Sequence, residues 1–224
     1  MSDSRQNIDW SPLLLSMKVA GVATVLALAV GIALGWIFAR RRFPGSAVFE
    51  ALCMLPLVLP PTVIGYGLLV AAGRRSVVGA WLYEHFDYTI VFNWHGAVAA
   101  AAVVALPLVL KSASASFAGV DPTLEAAART LRQSPLSVFI RVTLPLAWPG
   151  ILAGTLLAFA RAMGEFGATL MVAGDIPRQT QTLSMAIYDA MQSGQDHTAL
   201  LLVLVTSVLS IAVMLVSNRF FSLR

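Results

Sequence analysis

Apolar positions in this 224-residue chain come in long uninterrupted blocks and do not alternate with polar ones. About 20 consecutive apolar residues carry a helix across the hydrocarbon of a bilayer. Residues 13–39 exceed that length, with Lys18 as their single interior charge. A second block, 47–72, contains Pro56, Pro60 and Pro61 together with Gly65 and Gly67. These residues remove backbone hydrogen bonds and bend a helix, so a broken or kinked span is expected there. Further blocks lie at 90–110, with Asn93, His95 and Pro107 inside, at 146–173, holding Arg161 and Glu165, and at 199–216, free of charge. The pattern predicts an all-α, polytopic transmembrane bundle of about five spans over residues 11–218. Residues 1–10 form an external segment and 219–224 a short tail. A cleaved signal peptide does not fit the first block, because its apolar region would be only about 7–15 residues long and its basic residues would precede it; here Arg40, Arg41 and Arg42 follow.

Composition agrees with a membrane solvent. Hydrophobic residues make up 58% and charged residues 12%, with mean hydropathy +0.80, against roughly 25% charged in soluble domains. The net charge of +4 does not point to nucleic acid, because the basic residues flank apolar blocks and form no stripe with interleaved aromatics. They do orient the chain. Arg40, Arg41, Arg42, Lys111, Arg129, Arg132, Arg141, Arg219 and Arg224 fall on one side of five spans, and Arg5, Arg74, Arg75 and Arg178 on the other. The richer side is cytoplasmic, so the N-terminus is expected outside and the C-terminus inside. The outer side also collects Asp3, Asp9, Glu84, Asp87, Asp175, Asp189 and Asp196. Five tryptophans near span ends read as interfacial anchors.

Catalytic chemistry is thin. His85, His95 and His197 stand singly without metal-ligand spacing, and Cys53 is the only cysteine, so no metal site is expected. A phosphate-cradling loop needs Gly-x-x-x-x-Gly-Lys-Ser/Thr, and the only lysines, Lys18 after Met17 and Lys111 after Leu110, cannot complete it. The chain is therefore not expected to be an enzyme by itself.

Residues 112–143, on the inner side, are too many for a turn. Asp121 and Pro122 read as an N-cap with proline at the first helical position. Leu124, Ala127, Ala128, Leu131 and, after Ser134 and Pro135, Val138 and Phe139 recur at helical spacing. The residues alone leave two readings open: an amphipathic helix on lipid headgroups, or a helix offered to another protein. The stretch Glu125-Ala126-Ala127-Ala128-Arg129-Thr130-Leu131, followed by Val142-Thr143-Leu144-Pro145, resembles the cytoplasmic coupling loop of binding-protein-dependent ABC importer permeases. That family pattern runs Glu-Ala-Ala, three residues, Gly, nine residues, Ile, one residue, Leu-Pro. Ala127 and Ala128 take the two alanine positions, while Ala126 stands at the family's glutamate and Arg132 at its glycine. Leu55-Pro56-Leu57-Val58-Leu59-Pro60-Pro61-Thr62-Val63-Ile64-Gly65 and the segment from Phe159 through Arg161, Gly164, Glu165 and Gly167 to Thr169 are similar to the molybdate branch of such permeases. Sulfate permeases, the alternative, tend to carry Tyr and Ser near Phe166 and Ala168.

The resemblance implies a bacterial inner-membrane, multi-pass subunit that pairs with a second copy of itself, two ATP-binding subunits and an external molybdate-binding protein. ATP and magnesium would be bound by the ATP-binding partner. Glu125, Ala127, Ala128, Arg129, Leu131, Arg132, Leu144 and Pro145 would then couple to the ATP-binding subunit. Pro60, Pro61, Gly65, Arg161, Gly164, Glu165 and Gly167 are the candidates for the solute pathway. Arg161 and Glu165, four residues apart, share a face if both are helical and can neutralise each other; the other reading makes Arg161 a transient attraction for an oxyanion. A membrane-embedded enzyme or a stand-alone channel is the remote alternative.

Overall fold

The computed structural model of the chain describes residues 9–41 and 43–221. Most of the expected external segment, the last three residues of the tail, and with them Asp3, Arg5, Arg42 and Arg224, lie outside the described residues. The order of elements is α1 (Ser11–Arg40), α2 (Ser46–Met54), which tightens into a 3-10 turn at Leu55–Leu57, α3 (Pro61–Ala72), α4 (Val77–Phe86) and α5 (Trp94–Ala118). After these come α6 (Pro122–Thr130) and α7 (Pro135–Val138), which continues through a π-helical stretch, Phe139–Thr143, into α8 (Leu144–Met163). The chain closes with α9 (Gly167–Ala173), α10 (Leu183–Gln192) and α11 (Asp196–Phe221). Among the described residues, four helical stretches are long and apolar enough to cross a membrane, and the broken pair 46–57 and 61–72 would make a fifth.

The expected break in the second block falls at 58–60, where Pro60 and Pro61 deprive the backbone of two donors and Pro61 restarts a helix at its first position. Several boundaries differ from the sequence expectation. The third span runs to Ala118, not to residue 110, because polar residues beyond Lys111 stay helical and satisfied: Ser112 Oγ donates to the Gly150 carbonyl at 2.7 Å. The loop is thus shorter than 112–143, and its C-terminal part, from Pro135, is continuous with the fourth span. That span ends at Met163, and a break at 164–166 separates it from α9. The last span is longer than predicted, covering Asp196–Phe221.

The described residues divide into two compact units, one of residues 9–22, 60–101 and 163–210, the other of 23–41, 43–59, 102–162 and 211–221. In the second unit, close helix packing rests on small residues. A Cβ on Gly31 or Gly35 of α1 would sit 2.7 Å from Val109 Cγ1 or Ala113 Cβ of α5, and one on Gly154 of α8 would sit 2.2 Å from Ser112 Cβ. Membrane helices associate through such approach, because lipid tails are as apolar as leucine and supply no hydrophobic drive. Phe117, Ala147 and Ile151 form the core there, with Trp36 and Phe139 packed on it. In the first unit, α3 packs on α9. Leu183, Ala186 and Leu202 gather with Leu13 and Ile187, and the Leu183 N–H donates to Ser16 Oγ at 2.7 Å.

Candidate functional site

The helical loop before α8 is the most elaborated polar feature of the second unit. Asp121 caps α6, its carboxylate accepting the Thr123 N–H at 2.8 Å, and that bond holds the exposed carboxyl below its ordinary range. Pro122 occupies the first turn as the sequence predicts. The orientation of α6 is unexpected. Its inward-facing residue is Glu125, 9% exposed, whereas Leu124 is 48% and Leu131 75% exposed. The helix therefore turns its acid to the protein and its apolar residues outward, the reverse of the usual amphipathic arrangement.

Burying a carboxylate is costly unless it is paired and hydrogen-bonded. Glu125 Oε1 accepts Arg40 Nη2, from the end of α1, and Thr143 Oγ1, from the π-helical stretch, each at 2.7 Å. The same guanidinium nitrogen lies 3.5 Å from the Val120 carbonyl. One carboxylate thus joins the loop helix to the end of α1 and to the π-helical stretch that leads into α8. The π-helical stretch contributes, since an extra residue in a helical turn rotates the faces on its two sides relative to each other. Val138 and Phe139 pack inward, Phe139 edge-on to Trp36 at 5.9 Å, while Thr143, 2% exposed, reaches Glu125.

The other coupling candidates separate into two sets. Ala127, Arg129, Leu131 and Arg132 are exposed, as is Leu124, and Ala128 is half-buried. Leu144 packs against the Phe117–Ile151 core, while Pro145 remains exposed. Arg132 carries φ +58° just past the helix end, and its N–H bonds to the Arg129 carbonyl at 3.0 Å. A left-handed residue at this place is the usual role of glycine, which explains the family's preference at the position where this chain has arginine. Arg132→Gly is expected to raise stability by about 0.5–1 kcal/mol, the relief of a strained L-residue less the greater freedom of glycine in the unfolded chain. The midpoint of thermal unfolding in detergent measures it; an unchanged or lower midpoint counts against strain here.

Pathway candidates from the sequence cluster only in part. In the first unit, Gly65 and Gly167 allow α3 and α9 to meet: a Cβ at Gly65 would lie 2.7 Å from Met171 Cβ and one at Gly167 2.9 Å from Pro61 Cβ. Pro60 caps α3, and Pro61 is its first residue. Gly164 forms the turn after α8. Glu165, 3% exposed, accepts the Ala168 N–H at 2.9 Å, placing a carboxylate at the N-terminus of α9. The premise that Arg161 and Glu165 share one helical face is corrected: Arg161 belongs to α8, but Glu165 lies past its end, in the break the helix makes before α9. Sequence reasoning missed Arg40 and Thr143. Arg40 reads as an ordinary cytoplasmic flank, and nothing in the pattern links it to a residue 85 positions later.

A family model described as the inner membrane component of binding-protein-dependent transport systems matches residues 31–223. The chain belongs to this family. Within it, the chain is 44% identical over 211 residues to the molybdenum transport system permease protein of Escherichia coli, covering 94% of this chain and 92% of that one. It is 45% identical over 190 residues to a putative molybdenum transport system permease protein of Bacillus subtilis, covering 85% and 84%. Among solved structures, an inward-facing form of the MetNI methionine ABC transporter is similar with TM-score 0.70 at 16% identity, covering 98% of this chain and 97% of that one. A bacterial ABC transporter for import of alginate is similar with TM-score 0.74 at 12% identity, covering 96% and 79%. The all-α permease fold is thereby established, and the protein is a membrane-spanning transport permease. The outward surface of α6 and its Glu125 brace lie inside the segment that the family model matches.

Proposed function

We propose that this chain is the membrane-spanning subunit of an ATP-driven importer that carries molybdate, and with it tungstate, a tetrahedral dianion of the same charge, across the inner membrane. The observation that carries the substrate is the 44% identity to a molybdenum permease along nearly the full length of both chains. Phe166 and Ala168 favour the same branch over sulfate. Ala168 is fully buried, its Cα 3.0 Å from the position of a Gly65 Cβ, so a serine there would have to find a partner inside a tight helix contact.

In this reading two copies enclose the path, the N-terminus is outside and the C-terminus inside, and an external binding protein supplies the anion. Two ATP-binding subunits hold ATP and magnesium and dock on the outward surface of α6. Work done there needs a rigid route into the spans. Glu125 supports that role, because it ties α6 to the ends of two of them in the same unit. Discrimination among oxyanions belongs mainly to the binding protein, since a pathway that held the anion tightly could not release it.

The reading is tested by uptake of labelled molybdate into proteoliposomes holding this chain, its cognate ATP-binding subunit and its binding protein. Uptake is expected to require all three and ATP, and to resist excess sulfate. Uptake abolished by modest sulfate would reassign the chain to a sulfate-type permease.

A further inference from the structure

The first unit contains a polar cavity that the proposed import cycle does not use. It encloses about 360 Å3 and is lined by Lys18 of α1, Phe92, Asn93 and Trp94 at the start of α5, and Arg178 and Gln179 of the loop before α10, among others. Lys18 is the single charge inside the first apolar block. It lies seven residues into α1, about 10 Å along the axis at 1.5 Å per residue. A cation at such a place usually faces a cavity and marks a site. Its described partner is the face of the Trp94 ring, with Nζ 3.6 Å from the centroid, not a carboxylate. A ring face compensates an ammonium only in part.

The wall formed by the loop before α10 is densely hydrogen-bonded within itself. The N–H groups of Gln179, Thr180 and Gln181 all approach the Ile176 carbonyl at 2.9–3.1 Å. The buried Thr180 hydroxyl donates to the Gly174 carbonyl at 2.9 Å and accepts the Ile176 N–H at 3.0 Å. This knot holds Arg178 at φ +62°, and across the cavity Phe92 sits at φ +58°, fixed by its N–H to the Val172 carbonyl at 2.9 Å. Bulky residues in left-handed backbone are costly and persist where the surroundings over-determine them, commonly at ligand clamps. Two of the four non-glycine residues with positive φ among the described residues line this one cavity.

Charge then selects the ligand. Asp9 accepts Arg178 Nε at 3.1 Å and the Ser11 N–H at 2.9 Å, bonds that hold its carboxyl below the ordinary range and keep it ionised. Lys18 and Arg178, the latter paired with Asp9, are the charged residues of the lining, and the side-chain amides of Asn93 and Gln179 belong to it as well. We propose that this cavity binds a tetrahedral oxyanion, with Lys18 and Arg178 as its cationic contacts and the Asn93 and Gln179 amides as neutral donors. A free oxyanion and the phosphate of an anionic phospholipid share this chemistry. The proposal is independent of the substrate assigned above.

The test uses the full chain purified in a maltoside detergent, which carries no phosphate. Labelled molybdate and labelled inorganic phosphate are offered in equilibrium dialysis, and phosphatidylglycerol is offered with native mass spectrometry as readout. Binding near one per chain is expected for at least one of the three, weakened about tenfold or more in Lys18→Gln, the loss of one charge-assisted contact, and retained in Lys18→Arg. Arg178→Gln serves as the second variant should Lys18→Gln fail to fold, with helix content and unfolding midpoint checked for each. Binding of a free anion assigns the site to solute; retention of phosphatidylglycerol alone assigns it to lipid. Absence of binding by all three probes, or equal binding by a folded Lys18→Gln, overturns the site. If molybdate uptake fails while this binding persists, only the transport reading falls.

Discussion

Arg40→Met is expected to lower the stability of the solubilised chain by about 3 kcal/mol, near the lower end of what removing one partner of a buried ion pair costs. Glu125 would be left with the Thr143 hydroxyl as its remaining described donor, in a pocket where its side chain is 12% exposed. The lower end applies because the Arg40 side chain keeps 21% of its exposure and water can reach the vacated space. Transport should fall further than stability, since the loop helix loses its tie to α1. The decisive comparison is the double variant Arg40→Met, Glu125→Met. Apolar side chains of similar volume often replace a buried pair at little cost, so the unfolding midpoint should recover most of the loss. Uptake should not recover if the carboxylate is what transmits motion. Recovery of both would reduce the pair to a packing element, and a midpoint unchanged in the single variant would show that the pair contributes nothing.

Ala127→Glu is expected to abolish ATP-dependent uptake while leaving the chain itself intact. Ala127 is exposed in this chain and glutamate is a good helix former, so folding and yield should be normal. At a docked interface the same carboxylate is desolvated without a partner, a cost of roughly 3 kcal/mol or about 100-fold in affinity. Co-purification of the ATP-binding subunit should fall accordingly. Should the subunit co-purify normally with full uptake, the outward face of α6 would not be the docking surface. The lipid-surface reading of this helix would then regain its standing.

The outward apolar face of α6 shows how far periodicity carries. Leu124, Ala127, Ala128 and Leu131 recur at helical spacing, and the helix forms where that spacing and the Asp121–Pro122 start put it. Periodicity names a face without naming its partner. A soluble-protein habit would turn Leu124 and Leu131 inward, yet the acid is inside and the leucines outside. The partner that reverses the rule, Arg40, sits at the end of another helix. The glycine position held by Arg132 was legible as a departure from the family pattern, but its left-handed backbone, the physical reason for glycine, belongs to the fold.

The chain's pattern decides by itself whatever the solvent enforces locally. Apolar blocks longer than the hydrocarbon is thick must be helical and spanning, since each backbone group needs its bond within the segment. Prolines at 60 and 61 must interrupt, and arginines at the block ends set an expected orientation. The tertiary structure alone decides the features that depend on groups distant in sequence. The end of the third span depends on a serine reaching a carbonyl 38 residues away. The end of α8 at Met163 leaves Glu165 outside that helix, where it accepts the Ala168 N–H at the start of α9. Glu125 owes its role to Arg40 and Thr143, and the cavity around Lys18 to a loop 160 residues later. Electrostatic and packing energies depend on distance in space, and no one-dimensional period encodes that distance.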